Sequence, residues 1–209
     1  MTQQWVNEKE FEKVSHNNYS KNQPFPHISI EAGFNSDKLL NLVKELEKEE
    51  YYLEDHDLYQ FLRTVDFKHS KNDFIKEFRT TIFSKKFMKH IEKITGLSLK
   101  KNSGDLHSLK LLNTHYLLCH DDQVQMRAVA FILNLSSNWS QEDGGELELF
   151  SINSQGNPNK VVKKIIPKFN QFNLFTVSDK SFHQISEVIS KEKARISISG
   201  WFYLENEKK

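Results

Sequence analysis

Apolar positions in the first half of the chain recur at helical spacing. Leu39, Leu40, Leu42, Val43 and Leu46 follow Ser36, a residue suited to capping a helix, and leave lysine and glutamate on the opposite face. Phe74, Ile75 and Phe78 repeat the pattern after Asn72 or Asp73. Phe87, Met88, Ile91 and Ile94 repeat it again from about Ser84 to Gly96, whose freedom at positive φ suits a helix C-terminus. Residues 25–31 and 57–67 read as strands among these helices. From about Leu97 the period shortens to two. Residues 108–118, 127–135, 146–150, 161–166, 169–177, 182–189 and 195–204 predict six or seven short strands, and the polar stretches 136–143 and 151–158 between them suit loops. The pattern predicts an α+β protein with an all-β core, a double-sheet barrel buttressed by helices. We expect a polar lead over 1–24 and a single domain over 25–209, its helical support at about 25–100 and its barrel at about 101–205.

Composition narrows the function classes. The 209 residues carry 29 basic and 28 acidic side chains, a formal net charge of +1, so nothing draws the chain electrostatically to nucleic acid or to a membrane surface. A hydrophobic fraction of 37% and an aromatic fraction of 12% exclude wholesale disorder. The single cysteine, Cys119, excludes an intramolecular disulfide and any multi-cysteine zinc or iron–sulfur site, and fits a reducing compartment. No apolar run approaches the roughly 20 residues of a membrane span, and the N-terminus lacks the apolar stretch of a signal peptide. The expectation is a cytoplasmic, monomeric protein without direct nucleic-acid or membrane contacts.

The candidate chemistry begins at Cys119-His120-Asp121-Asp122, directly after an apolar strand. Strand alternation puts His120 and Asp122 on one side and Cys119 and Asp121 on the other. An imidazole and a carboxylate so placed supply two ligands of a two-histidine, one-carboxylate triad, which leaves Fe(II) open positions for a cosubstrate and oxygen. The same dipeptide spacing also fits a turn histidine beside solvated carboxylates. Of nine histidines only His183 follows His120, 63 residues on in a strand-like run; it reads as a third ligand or as a hydrogen-bonded core histidine. Arg195 and Ser197 share one face of an alternating strand. An arginine aimed into a barrel needs an anion, which a dicarboxylate would supply, whereas on a solvent face it would pair with a glutamate such as Glu187. Asn134 interrupts a strand apolar on both faces, so it is expected to be buried and hydrogen-bonded, with a ligand carboxylate as one candidate partner. Gly144-Gly145 reads as a hairpin turn without phosphate-loop spacing. Trp139 and Trp201 read as core anchors, and His107 and His115 as strand histidines.

In this order the strings LLCHDD (117–122), RAVAFIL followed by a tryptophan and GGELELF (127–150), SFHQISEVIS (181–190) and RISISGWF (195–202) resemble the Fe(II)- and 2-oxoglutarate-dependent prolyl hydroxylases. They are most similar to the catalytic domain of the ribosomal prolyl hydroxylase group, whose eukaryotic members act on a proline of the decoding-centre protein of the small ribosomal subunit and carry a second, degenerate barrel domain. The resemblance implies a double-stranded β-helix. It implies His120, Asp122 and His183 as iron ligands and Arg195, with Ser197 beside it, as the seat of the distal carboxylate of 2-oxoglutarate. The implied cofactors are Fe(II), 2-oxoglutarate as cosubstrate and O2, with ascorbate supportive. The implied activity is hydroxylation of a prolyl residue in a protein or peptide substrate. Two positions depart from the family: Asn134 and Leu111 stand where tyrosines are usual, and Tyr116, placed by alternation on the His120 face, is the candidate to compensate. The same chemistry on a free amino acid, a small metabolite or a non-prolyl peptide residue is the alternative reading, and a non-catalytic metal- or ligand-binding barrel is the remote one.

Overall fold

The computed structural model describes residues 4–124 and 126–205. Two short helices, α1 (Glu8–Glu12) and α2 (His16–Ser20), lie in the polar lead. Its sparse aromatics, Trp5, Phe11 and Tyr19, are buried in the main core, an attachment that no local period announces. Helices α3 (Ser36–Leu46), α4 (Asp73–Ile82) and α5 (Lys85–Thr95) follow. Asn35, rather than Ser36, caps α3, its side chain accepting the Lys38 N–H, while the Ser36 hydroxyl accepts from Asn170. Asn72 and Ser84 cap α4 and α5 as expected, and Gly96 closes α5 at φ 76°. Each helix buries one stripe: Leu39, Leu42 and Leu46; Ile75, Phe78 and Ile82; Phe87, Met88, Ile91 and Ile94.

Among the described residues eleven strands make one antiparallel sheet: β1 (His27–Glu31), β2 (Tyr52–His56), β3 (Tyr59–Arg63), β4 (Leu99–Leu111), β5 (Tyr116–His120), β6 (Arg127–Asn134), β7 (Leu147–Ile152), β8 (Pro158–Ile165), β9 (Gln171–Thr176), β10 (His183–Ile185) and β11 (Arg195–Leu204). Their order is β1-β9-β6-β11-β4-β3-β5-β10-β7-β8, with β2 paired to β3. The sheet curls into the double-stranded β-helix that the strand pattern and the resemblance led us to expect.

Alternation along the strands divides the core in two. Val129, Phe131 and Leu133 of β6, Phe172 and Leu174 of β9, and Ile198 and Phe202 of β11 pack against the helices. The intervening residues Ala130, Ile132 and Phe175 meet Leu109, Leu111, Leu147, Leu149 and Ile185 inside the curl. Arg195, Ser197, Ser199 and Trp201 lie on that inner side of β11, which places the polar residues within the β-helix.

Two strand boundaries differ from expectation for physical reasons. The segment expected as one strand over 57–67 is the second arm of a hairpin, β2 and β3 turning at Asp57 and Leu58. Both faces of β2 are largely exposed, so it carries no alternation to read. The segment 108–118 breaks at 112–115, where Thr114 adopts φ 71°, and His115 therefore sits in a turn.

Candidate active site

The sequence order β5-turn-β6 brings His120 to the end of a strand and Asp122 just beyond it. Their convergence does not come from strand alternation. Asp122 has left the strand and adopts φ 63°, a left-handed conformation that a short polar side chain tolerates. Within β5 the pairing with β10 runs His183 to His120 and Ile185 to Leu117, so two residues of β5, Leu118 and Cys119, oppose the single Gln184 of β10. This bulge turns Leu117 and His120 to the same inner side. It also removes Tyr116 from the His120 face: Tyr116 pairs with Gln60 and takes no part in the wall of the cavity described below.

One ligand atom from each of His120, Asp122 and His183 lies within 4.8 Å of the other two. His120 Nε2 is 3.4 Å from Asp122 Oδ1, and His183 Nε2 is 3.5 Å from Asp122 Oδ2. Each imidazole donates Nδ1–H to a backbone carbonyl, His120 to Leu118 and His183 to Ser181, both at 2.8 Å. A carbonyl only accepts, so the proton sits on Nδ1 and the Nε2 lone pairs of both rings face the carboxylate. That is the donor arrangement a divalent metal needs, two neutral imidazoles and one anion on one side. Burial works to raise the Asp122 carboxyl, but when the histidines are also protonated at Nε2 the His120 hydrogen bond, the charges of His183 and His120 and the Trp201 N–H outweigh it and hold it well below the carboxylate range. Burial first, and then repulsion by His120, pushes His183 down to about 4.

Two residues not singled out for chemistry support the triad. Trp201, read as a core anchor, donates Nε1–H to Asp122 Oδ2 at 2.9 Å. The Arg127 guanidinium stacks over the Trp201 ring at 3.5 Å and brings Nη1 to 3.6 Å from Asp122 Oδ1. The triad opens on a cavity of about 450 Å³, with Leu58, Leu118 and Val124 at its exposed rim and Tyr59, His107 and Phe175 among its walls.

Arg195 lies beyond that wall on the inner side of β11, 1% exposed. Its partners are neutral: Nε donates to Gly145 O at 2.8 Å, Nη1 to Ser197 Oγ at 3.2 Å and Nη2 to Asn134 Oδ1 at 3.3 Å. Glu187 is not among them. Burial pushes the guanidinium down to about 10. A guanidinium carries five N–H bonds, so a buried cation with three neutral acceptors has donors left for a carboxylate. Gly145 is more than a hairpin turn: at φ 68°, a Cβ there would stand 2.9 Å from Arg195 Cδ, so the glycine lets the backbone close over the arginine. Asn134 is 1% exposed, gives its oxygen to Arg195 and donates Nδ2 to Gln171 Oε1 at 2.9 Å, so its partners are side chains. Leu111, paired with Arg195, is packed in the inner core.

His107 gives the cavity wall a pH signature. Burial first, and then the Arg63 charge, pushes it down to about 4, with Asp66 and Asp105 opposing and Arg127 adding to the fall. The unfolded chain titrates near 6.5 and so binds more protons between these values. The stability of the neutral ring is complete above about pH 6.5 and is lost as the pH falls toward 4, on the order of 3 kcal/mol over the full span. We expect the difference in melting temperature between pH 7 and pH 4.5 to shrink in His107→Phe; equal differences in both proteins would refute the assignment.

The fold and the donor set define a class: a double-stranded β-helix presenting two histidines and a carboxylate inside its curl. Residues 107–203 match the family model described as the 2OG-Fe(II) oxygenase superfamily. It is 41% identical over 181 residues to prolyl 3-hydroxylase OGFOD1 of Xenopus laevis, covering 86% of this chain and 35% of that one. It is 31% identical over 199 residues to prolyl 3,4-dihydroxylase OGFOD1 of Ostreococcus tauri, covering 86% and 38%. The chain thus spans about a third of the length of these relatives. A prolyl hydroxylase from Trichoplax adhaerens, solved in complex with a hypoxia inducible factor oxygen degradation domain peptide fragment, superposes with a TM-score of 0.70 at 18% identity, covering 94% of this chain and 91% of that one. No helix among the described residues is long and apolar enough to cross a membrane.

Proposed function

We propose that the chain is an Fe(II)- and 2-oxoglutarate-dependent dioxygenase that hydroxylates a prolyl residue in a protein, at C3 first, as the names of the OGFOD1 relatives suggest. The observation that carries it is the convergence of His120, Asp122 and His183 within 4.8 Å in a cavity open to solvent. These three residues hold the metal, and Arg195 with Ser197 holds the distal carboxylate of 2-oxoglutarate. Bound Fe(II) supplies the redox chemistry that no side chain has, coupling oxidative decarboxylation of 2-oxoglutarate to insertion of one oxygen atom from O2 into an unactivated C–H bond.

The protein's own work is placement. Hydrogen bonds to the Leu118 and Ser181 carbonyls keep both Nε2 atoms free, Trp201 and Arg127 hold the carboxylate, and Phe175, centred 4.6 Å from the His183 ring, keeps water off it. Leu58, Leu118 and Val124 offer an apolar rim to a peptide chain. We take the substrate to be the decoding-centre protein of the small ribosomal subunit, the compartment to be the cytoplasm, and residues 25–209 to act as one domain.

The test measures succinate formed from 2-oxoglutarate with Fe(II) and ascorbate, in wild type and His183→Ala, with a peptide from that protein. The expected result is peptide-stimulated turnover, lost in the variant and matched by a gain of about 16 Da for one oxygen. Turnover without a change in peptide mass would discard the substrate, and absence of both turnover and 2-oxoglutarate binding would discard the enzyme class.

A further inference from the structure

A row of polar side chains, buried except for the half-buried Ser29, crosses four neighbouring strands beside Arg195. In sheet order it comprises Ser29 of β1, Asn173 and Gln171 of β9, Asn134 of β6, and Arg195 with Ser197 of β11. The strand register makes them neighbours: Ser29 pairs with Asn173, Asn134 with Gln171, and Ser197 with Asn134. Gln171 is 4% and Asn173 2% exposed, on the side of β9 where Phe175 packs in the inner core. Three amides in an otherwise apolar interior cost free energy unless each is fully partnered, so the row needs a reason.

The direction of every bond follows from the arginine end of the row. Arg195 has only donors, so Asn134 turns its carbonyl oxygen to Nη2. Its amide nitrogen then faces Gln171 Oε1 at 2.9 Å, and that oxygen also receives Asn173 Nδ2 at 3.5 Å. Asn173 turns Nδ2 to Gln171, which leaves its Oδ1 to accept from Ser29 Oγ–H at 2.6 Å at the far end. Reversing Asn134 alone would set donor against donor at Arg195 and acceptor against acceptor at Gln171.

We infer that Gln171 is a positioning residue for Arg195, acting through Asn134; the inference rests on the reading that Arg195 binds the distal carboxylate of 2-oxoglutarate. A guanidinium recognises a carboxylate through parallel N–H bonds in one plane, so affinity depends on how that plane is held. Gly145, Ser197 and Asn134 hold it at Nε, Nη1 and Nη2. Gln171 locks the amide orientation and rotamer of Asn134, and with it the Nη2 corner.

Calorimetric titration of 2-oxoglutarate into the Mn(II)-loaded chain tests this in wild type, Gln171→Met, Asn134→Ala and the double variant. Gln171→Met keeps length and burial but removes the acceptor; Gln171→Leu replaces it if the methionine variant does not fold. We expect the Gln171 variant to raise Kd about tenfold with Mn(II) affinity unchanged, its KM for 2-oxoglutarate rising in parallel while kcat holds. The double variant should match Asn134→Ala alone, since a residue acting through Asn134 has no effect once it is gone. Wild-type protein that binds no 2-oxoglutarate overturns the functional reading. Wild-type binding that Gln171→Met leaves within about twofold overturns the relay, and additive effects in the double variant overturn its route through Asn134.

Discussion

Arg195→Met is expected to raise the dissociation constant for 2-oxoglutarate by about a hundredfold or more, and to leave metal binding at the proposed triad in place. Truncating one partner of a buried, hydrogen-bonded charge pair costs about 2–5 kcal/mol, and Arg195 is the most voluminous of the fully buried side chains. Its surroundings supply direction but no charge: a backbone carbonyl, a hydroxyl and an amide. Among the described residues no carboxylate pairs with the guanidinium, so removing it strips the ligand of the cation proposed to meet its distal carboxylate. Arg195→Lys separates charge from geometry. A lysine ammonium keeps the attraction as a point charge but loses the planar fork, so its affinity should fall between those of wild type and Arg195→Met. Titration calorimetry measures all three. Equal affinity in wild type and Arg195→Met would place the distal carboxylate elsewhere.

How much of this site the sequence announces depends on whether a feature is local. Helix α5 is legible from end to end, because the Ser84 cap, the apolar stripe and the Gly96 stop all lie within 13 residues. Arg195 is legible as inward-facing because β11 alternates without interruption as far as Phe202. His120 and Asp122 are found by their spacing, but the stated reason, alternation along a strand, is not the one that operates. A bulge and a left-handed turn perform the convergence, and neither leaves a glycine or proline to mark it. The same bulge takes Tyr116 out of the site.

The supporting residues are illegible for a different reason. Trp201 reaches Asp122 across 79 residues, and Asn134 meets Gln171 across 37, through strand registers that no window on the sequence contains. Gln171 stands at a strand end next to polar residues, where a glutamine is unremarkable until β6 pairs with it. The apolar residues of the lead are too sparse for a period, and only their burial against α4 and α5 reveals them.

The network around the carboxylate sets a graded pair of outcomes. Trp201→Phe keeps an aromatic ring for Arg127 to stack on and removes one N–H bond to Asp122 Oδ2. Loss of such an outer partner typically lowers metal affinity or activity about 10–100-fold, so Fe(II) affinity should fall within that range while the fold holds. Asp122→Ala removes the only anionic member of the donor set and leaves His120 and His183, both neutral when metal-bound. Its loss of Fe(II) affinity should exceed that of Trp201→Phe, with turnover falling below detection. Asp122→Asn refines the comparison: it keeps the size and an oxygen for the Trp201 bond but not the charge, and should resemble Asp122→Ala. Competition with a chromophoric chelator reads metal affinity without turnover. If Asp122→Asn binds Fe(II) as tightly as wild type, the anionic charge at this position contributes nothing to the metal, and Asp122 serves Arg127 and the two histidines instead.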